Sequence, residues 1–258
     1  MAHVSNVPII TRHPLNKDLR ITHDSSFYIN TPELVRKFNI INSYGGVVLN
    51  DLETFYSVLK QAFTAHHRVM AFRVDLHFPV EWPDSFIPGN EVMTRFFKSL
   101  NKRVELKTRN TDHRTRARYI WVREEGNYQE RVHYHLVILV NACAYRTLGV
   151  TDHVIDTLWG GIVRSWTTAL QLFDPESQKY LVHVPDKAVY IVYRNDLYVH
   201  SGIPVVFDTE YWKKKNSSND NAWGCSCIDE LFYRVSYMFK VDTKIIVKNI
   251  HRIGASTV

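Results

Sequence analysis

Glu130-Arg131-Val132-His133-Tyr134-His135-Leu136-Val137-Ile138-Leu139-Val140-Asn141 is the stretch from which the chain is best read. It opens polar and closes on an unbroken apolar run, Leu136 to Val140, with no Gly or Pro. The run is too short for an ordinary helix, so it reads as a central strand whose second half is buried on both faces. Successive side chains on a strand point to opposite faces, so His133 and His135 share one face and Tyr134 takes the other. Two imidazoles side by side on a rigid strand can hold one divalent metal ion. Taken alone, the pair is read more simply as two histidines on a wet strand face.

Working back from this strand, 118–123 (Arg-Tyr-Ile-Trp-Val-Arg) is a second strand, and Glu125-Gly126-Asn127 is the turn that makes the two a hairpin. Residues 91–107 form an amphipathic helix with Met93, Phe96, Phe97, Leu100 and Val104 inward. Residues 68–78 are a strand ended by Pro79 and Trp82-Pro83. Residues 50–65 are a helix, with Asn50 and Glu53 spaced as a capping box. The first 48 residues show no clear period and read as an irregular arm with a short helix near 32–38 and a turn at Tyr44-Gly45-Gly46. Downstream, 152–173 is a helix whose Gly160-Gly161 pair suits close packing. Residues 180–184 and 188–193 are short strands, 213–224 a polar loop, and 226–241 the last helix. Strands adjoin without parallel crossovers, which predicts an α+β fold with a central, mainly antiparallel sheet flanked by helices. We divide the chain into an arm, 1–48, and a domain, 49–258.

With 258 residues and 45% hydrophobic content, a sizeable core is expected. No apolar run is long enough to span a bilayer, and the N-terminus lacks the layout of a signal peptide, so a cytoplasmic location is expected. Three cysteines (Cys143, Cys225 and Cys227) do not make a disulfide framework. The net charge of +6 is unevenly spread: Arg95, Lys98, Lys102, Arg103, Lys107, Arg109, Arg114, Arg116 and Arg118 stand against Glu105 and Asp112. Such a block suits a phosphate backbone, and equally a solvated helix face.

On a helical wheel of the last helix, Leu231, Phe232, Val235, Met238 and Phe239 cluster on one side. Tyr233, Tyr237 and Lys240 cluster on the other. A phenol is a weak nucleophile at its ordinary pKa, and a nearby ammonium or metal ion lowers the cost of deprotonating it. The helix by itself is read more simply as amphipathic, with Tyr and Lys on its outer face.

Together these residues resemble a known set. His133-Tyr134-His135 before an apolar run resembles the His-hydrophobic-His motif of HUH endonucleases, and Tyr237-Met238-Phe239-Lys240 resembles their Tyr-x-x-Lys motif. Met70 to Leu76 sits where their first-strand motif sits. The chain is most similar to the inovirus-type replication initiator family, with the YagK/YfjJ C-terminal domain. That flavour shows in Arg73-Val74-Asp75-Leu76, in Asn141 closing the histidine strand, in Thr243-Lys244 and in Arg252-Ile253-Gly254-Ala255-Ser256. The likeness is read over about residues 50 to 256, and no family motif is assigned to residues 1–48.

The resemblance implies a Rep-like fold and a rolling-circle initiator that nicks one DNA strand, keeps the 5′-phosphate on a tyrosine and releases a 3′-OH. It implies Mg²⁺ or Mn²⁺ on His133, His135 and a carboxylate. Glu124 is the favoured third ligand, with Glu125 and Asp75 as second and third choices. Tyr237 would be the nucleophile and Lys240 its helper. Tyr233 would be a packing or stacking residue, because the family favours one tyrosine. Single-stranded or hairpin DNA is the expected partner, with Arg95, Lys102, Arg103, Arg114, Arg116 and Arg118 as contacts. A host helicase would supply unwinding, and no small-molecule cofactor or membrane is expected. His77, which shares a face with Asp75, is the one further histidine expected near the metal. The rival readings are a transposase or relaxase with the same chemistry, a non-catalytic DNA-binding regulator, and a small-molecule metal hydrolase.

Overall fold

The computed structural model describes residues 9–31, 34–41, 43, 45–83, 86, 88–125, 131–197, 228–242 and 250–256. Its centre is an antiparallel sheet built on β6 (Arg68–Leu76), β7 (Arg118–Glu124) and β8 (His133–Asn141). The histidine strand β8 lies between β6 and β7. Outside β6 lie β9 (Val182–His183) and β10 (Val189–Tyr193), and outside β7 lies β11 (Ile253–Ala255). Every pairing in this sheet is antiparallel. The expected α+β class is what the molecule has.

Period-two alternation divides the strands cleanly. Met70, Phe72, Val74, Leu76, Trp121, Tyr134, Leu136, Ile138 and Val140 face one way, into a core shared with α2 (Glu91–Thr108) and α3 (Leu158–Leu170). Val69, Ala71, Ile120, Val122, Val137 and Leu139 face the other way, into a core closed by α1 (Leu49–Ala65) and α4 (Ile228–Ser236). Helices on both faces of a sheet explain why β8 reads as an uninterrupted apolar run.

The N-terminal stretch corrects the expectation of an irregular arm. Ser26–Thr31 (β3) and Leu34–Asn39 (β4) form an antiparallel pair where a short helix was expected. Phe27 and Ile29 are buried and alternate with exposed Tyr28 and Asn30, a strand period rather than a helical one. The pair packs on α4: the Phe38 and Phe232 rings stack at 3.8 Å, and the Arg36 guanidinium donates to Asp229 at 3.0 and 3.1 Å. Ile10–Arg12 (β1), Arg20–Thr22 (β2) and Val47–Val48 (β5) form a second small sheet.

Four local expectations need correcting. The Asn50–Glu53 capping box does not form: Val48 is the N-cap of α1, the Asn50 side chain accepts from Arg20 N at 2.8 Å, and Glu53 pairs with the Arg20 guanidinium. Helix α3 starts six residues later than expected, because the Thr157 side chain caps it by accepting from Gly160 N at 3.1 Å. The start of the expected 180–184 strand is a 3₁₀ turn, Lys179–Leu181. The last helix stops at Ser236 and tightens into a 3₁₀ turn, Tyr237–Phe239. Ser236 Oγ donates to Tyr233 O at 2.6 Å and accepts from Ile41 N at 2.9 Å, local bonding that competes with helical continuation. Gly126, Asn127, Tyr44, the 213–224 loop, Cys225 to Cys227 and Thr243-Lys244 lie outside the described residues.

Candidate metal centre

Register puts the site together. Glu124 is directly opposite His133 across the β7–β8 pair, and Asp75 is opposite His135 across β6–β8. All four side chains fall on the α1/α4 face, beyond the point where those helices cover it. Glu125, one residue on, is exposed and outside the cluster, as strand alternation demands.

Glu124, His133 and His135 bring one ligand atom each to within 4.8 Å of one another. His133 Nε2 and His135 Nε2 are 3.2 Å apart, and His135 Nε2 and Glu124 Oε2 are 3.3 Å apart. Ligands about 2.1 Å from a shared ion at tetrahedral or octahedral angles lie about 3.0–3.4 Å apart. Both imidazoles are set to offer a lone pair at Nε2. His133 Nδ1 donates to Arg131 O at 3.1 Å, and His135 Nδ1 donates to Asp75 Oδ1 at 2.6 Å. The Arg73 guanidinium also approaches His135 Nδ1, at 3.0 Å. Both groups carry hydrogen there, and the shorter carboxylate contact decides the tautomer. The donor set therefore fits a divalent ion.

Asp75 is thus a support for His135 rather than a ligand. Burial pushes its carboxyl up, but hydrogen bonds and charge from His135 and Arg73 outweigh burial and hold it well below the usual carboxylate range. His183 Nδ1 stands 3.6 Å from Asp75 on its other side. Burial holds His133 below the ordinary imidazole value, with the neighbouring His135 acting in the same direction. His77 stacks on His133 at 5.4 Å, and burial, with the charge of that neighbour, brings it down to about 4. Metal binding needs neutral imidazoles, so the downward shift of His133 favours it.

The last turn of the chain's α4 segment meets this cluster. Lys240 is buried, with Nζ 3.4 Å from Glu124 Oε2 and 3.9 Å from the centre of the Tyr237 ring. The Arg73 guanidinium lies 5.7 Å from the same ring. A single ammonium therefore links the phenol to the triad. Its backbone is held by a bridge to Val47, and Val241 N donates to Gly46 O at 3.1 Å. Gly46 has φ +95°, where a side chain would also strike Thr22 O. Tyr233, one turn earlier, is 38% exposed. Sequence reasoning missed His183 and the contacts of Arg73 with His135 and Tyr237. Both follow from cross-strand register and helix docking, which no linear spacing reveals.

The basic residues lie elsewhere. Arg118 pairs with Leu139 and Glu124 with His133, so six strand steps, about 20 Å, separate the basic end of β7 from the triad. Arg95 is turned inward, its Nε donating to Ala169 O at 3.0 Å. Arg103 faces Arg164 of α3, and burial together with that charge holds its guanidinium below its ordinary value. Arg118 is half-buried, whereas Lys102, Arg114 and Arg116 are exposed.

An antiparallel sheet with helices on both faces and a two-histidine, one-glutamate cluster at one end defines the class of this molecule. The chain belongs to the YagK/YfjJ C-terminal domain family, whose profile matches residues 31–226. That span contains the whole triad and ends before Tyr237. Among relatives, Uncharacterized protein YfjJ of Escherichia coli (strain K12) is 29% identical over 214 residues, covering 77% of this chain and 89% of that protein. Uncharacterized protein YagK of the same organism is 31% identical over 181 residues, covering 63% and 85%. No solved structure matches the chain. Among the described residues, no helix is long and apolar enough to cross a membrane.

Proposed function

We propose that the chain is an HUH-type DNA nickase and strand transferase, of the kind that initiates rolling-circle replication. The observation that carries this reading is that Lys240, whose ammonium lies over the Tyr237 ring, also reaches Glu124 of the Glu124–His133–His135 cluster on the sheet. A bound Mg²⁺ or Mn²⁺ would supply polarisation of a scissile phosphate, and two imidazoles make Mn²⁺ at least tolerated.

The chain's own residues do the rest. His135, held by Asp75, and His133, held by a backbone carbonyl, fix the ligand atoms without reorganisation. The Tyr237 oxygen attacks phosphorus in line, its proton passing to water. The bond from phosphorus to the 3′-oxygen breaks, leaving a 3′-OH and a 5′-phosphate on the tyrosine. Lys240 and Arg73 place positive charge beside the Tyr237 ring, where it can offset the negative charge that builds up around the phosphorus during transfer. A transposase or relaxase would use the same steps on a different DNA.

The test is incubation of the protein with a single-stranded oligonucleotide carrying a hairpin, with Mn²⁺ or with chelator. Covalent product is scored on a denaturing gel and its peptide mapped by mass spectrometry. A metal-dependent adduct on Tyr237 is expected. Salt-sensitive binding with no adduct would replace this reading with that of a non-catalytic DNA-binding regulator.

A further inference from the structure

The pole of the molecule opposite the triad carries three adjoining clefts. The largest two have volumes of about 620 and 680 Å³, and a third of about 340 Å³ lies between them. The middle cleft shares Glu105, Arg109 and Arg116 with the first and Ala65, His66 and Arg114 with the second, so the three form one continuous band. Lys98, Lys102, Arg109, Arg116, Arg114 and Arg68 line it against the carboxylates Glu105 and Asp112. Glu105 is engaged by Arg116 Nε at 3.4 Å. Topology explains the gathering: β6 begins at Arg68, β8 ends at Asn141, β7 begins at Arg118 and β10 ends at Tyr193, all at one end of the sheet. The C-terminal end of α2 adds its own cations there, where a helix favours them.

We propose that this band is a docking surface for the phosphate backbone of duplex DNA, separate from the metal centre. The choice of DNA as the polyanion rests on the nickase reading, but the surface itself does not. Lys98 to Arg109 alone spans eleven helical steps, about 16 Å, or about five base pairs at 3.4 Å each. A groove for single strands offers free ring faces on which bases stack. Here the two rings of the first cleft, Phe97 and Tyr119, are stacked on each other at 3.3 Å and nearly parallel. Their facing surfaces are spent on packing, and the exposed rings of the second cleft, His67 and Tyr193, meet edge to face at 6.5 Å; cations therefore outnumber open ring faces along the band, the balance of a surface that reads backbone. A duplex held there would put an adjoining single strand about 20 Å away, or roughly half a helical turn, at the triad.

The test uses the full chain and three labelled probes: a blunt duplex, a single strand of the same length, and the two joined as a hairpin with a single-stranded flank. A Lys102→Gln/Arg109→Gln/Arg114→Gln variant, checked for an unchanged circular dichroism spectrum, is compared with wild type and with Tyr237→Phe in anisotropy titrations across salt. The expected result is a duplex Kd raised at least tenfold in the triple variant. The slope of log K against log salt should become shallower by about 2 to 3, while single-strand affinity and Mn²⁺ binding are unchanged. Tyr237→Phe should bind duplex as wild type does. An unaltered duplex Kd and slope would overturn the proposal, as would a loss confined to the single strand. Loss of duplex binding in a protein that forms no tyrosine adduct would leave this surface standing and remove the nickase reading instead.

Discussion

On β6, β7 and β8, two sets of residues occupy the same sheet face. Val69, Ala71, Ile120, Val122, Val137 and Leu139 lie toward one end, and Arg73, Asp75, Glu124, His133 and His135 toward the other. The first set is sealed by α1 and α4 around Phe55, Phe232 and Phe239. The second lies past the end of that cover, yet Asp75, Glu124 and His135 are still almost fully buried. Burying a carboxylate is costly unless it is paired, and each one here is paired with a cation or an imidazole. One half of the face stabilises the fold and the other half places charge. Residue 236, where α4 tightens, marks the border between them.

The largest effects expected separate the two halves. Tyr237→Phe should lower adduct formation by about 10⁴-fold or more, because the proposed nucleophile is gone, and should leave the melting temperature close to wild type. A variant that still forms the adduct would place the chemistry elsewhere. Phe232→Ala makes the opposite test. It removes a fully buried ring stacked on Phe38 and set edge-on to Phe55, and should cost about 3–5 kcal/mol in urea unfolding. Mn²⁺ binding by the fraction still folded should be unaffected.

Smaller effects probe the border itself. Asp75→Asn keeps the volume but weakens the hold on His135, and should weaken Mn²⁺ affinity about 10–100-fold by calorimetry. An unchanged affinity would reduce Asp75 to a salt-bridge partner of Arg73. The smallest effect is a pH dependence of the metal-free protein. Burial holds His77 at about 4, against an ordinary value of 6.5. Between those values the unfolded chain takes up a proton that the fold refuses. Stability from this residue is therefore full above about pH 6.5 and declines as the pH falls toward 4. After allowance for partial exposure, the loss should be on the order of 1–2 kcal/mol. His77→Gln should flatten that part of the profile.

Much of the polar half was legible in the sequence, because alternation alone assigns faces on a strand. His133 and His135 had to point the same way, and the hairpin had to bring a residue of the 118–125 stretch beside them. Choosing Glu124 over Glu125 needed the register, which the structure supplies as the Glu124–His133 pair. Two other things were not legible. Residues 26–39 were hidden because short alternating segments carry little signal until Phe27, Phe38 and Arg36 find α4 to pack against. The distance between the basic block and the triad was hidden because Arg118 and Glu124 are close in sequence, yet a strand places them at opposite ends of the sheet. Tyr237 and Lys240 fell on a common helical face, but a 3₁₀ turn, not a regular helix, carries Lys240 inward to Glu124.

Direct titration of the metal-free protein with Mn²⁺, read by electron paramagnetic resonance of the free ion, bears on all of this at once. The account predicts one ion bound per chain, with binding lost in His135→Ala and retained in Glu125→Gln. No binding by the wild-type chain, or binding that survives His135→Ala undiminished, would contradict it.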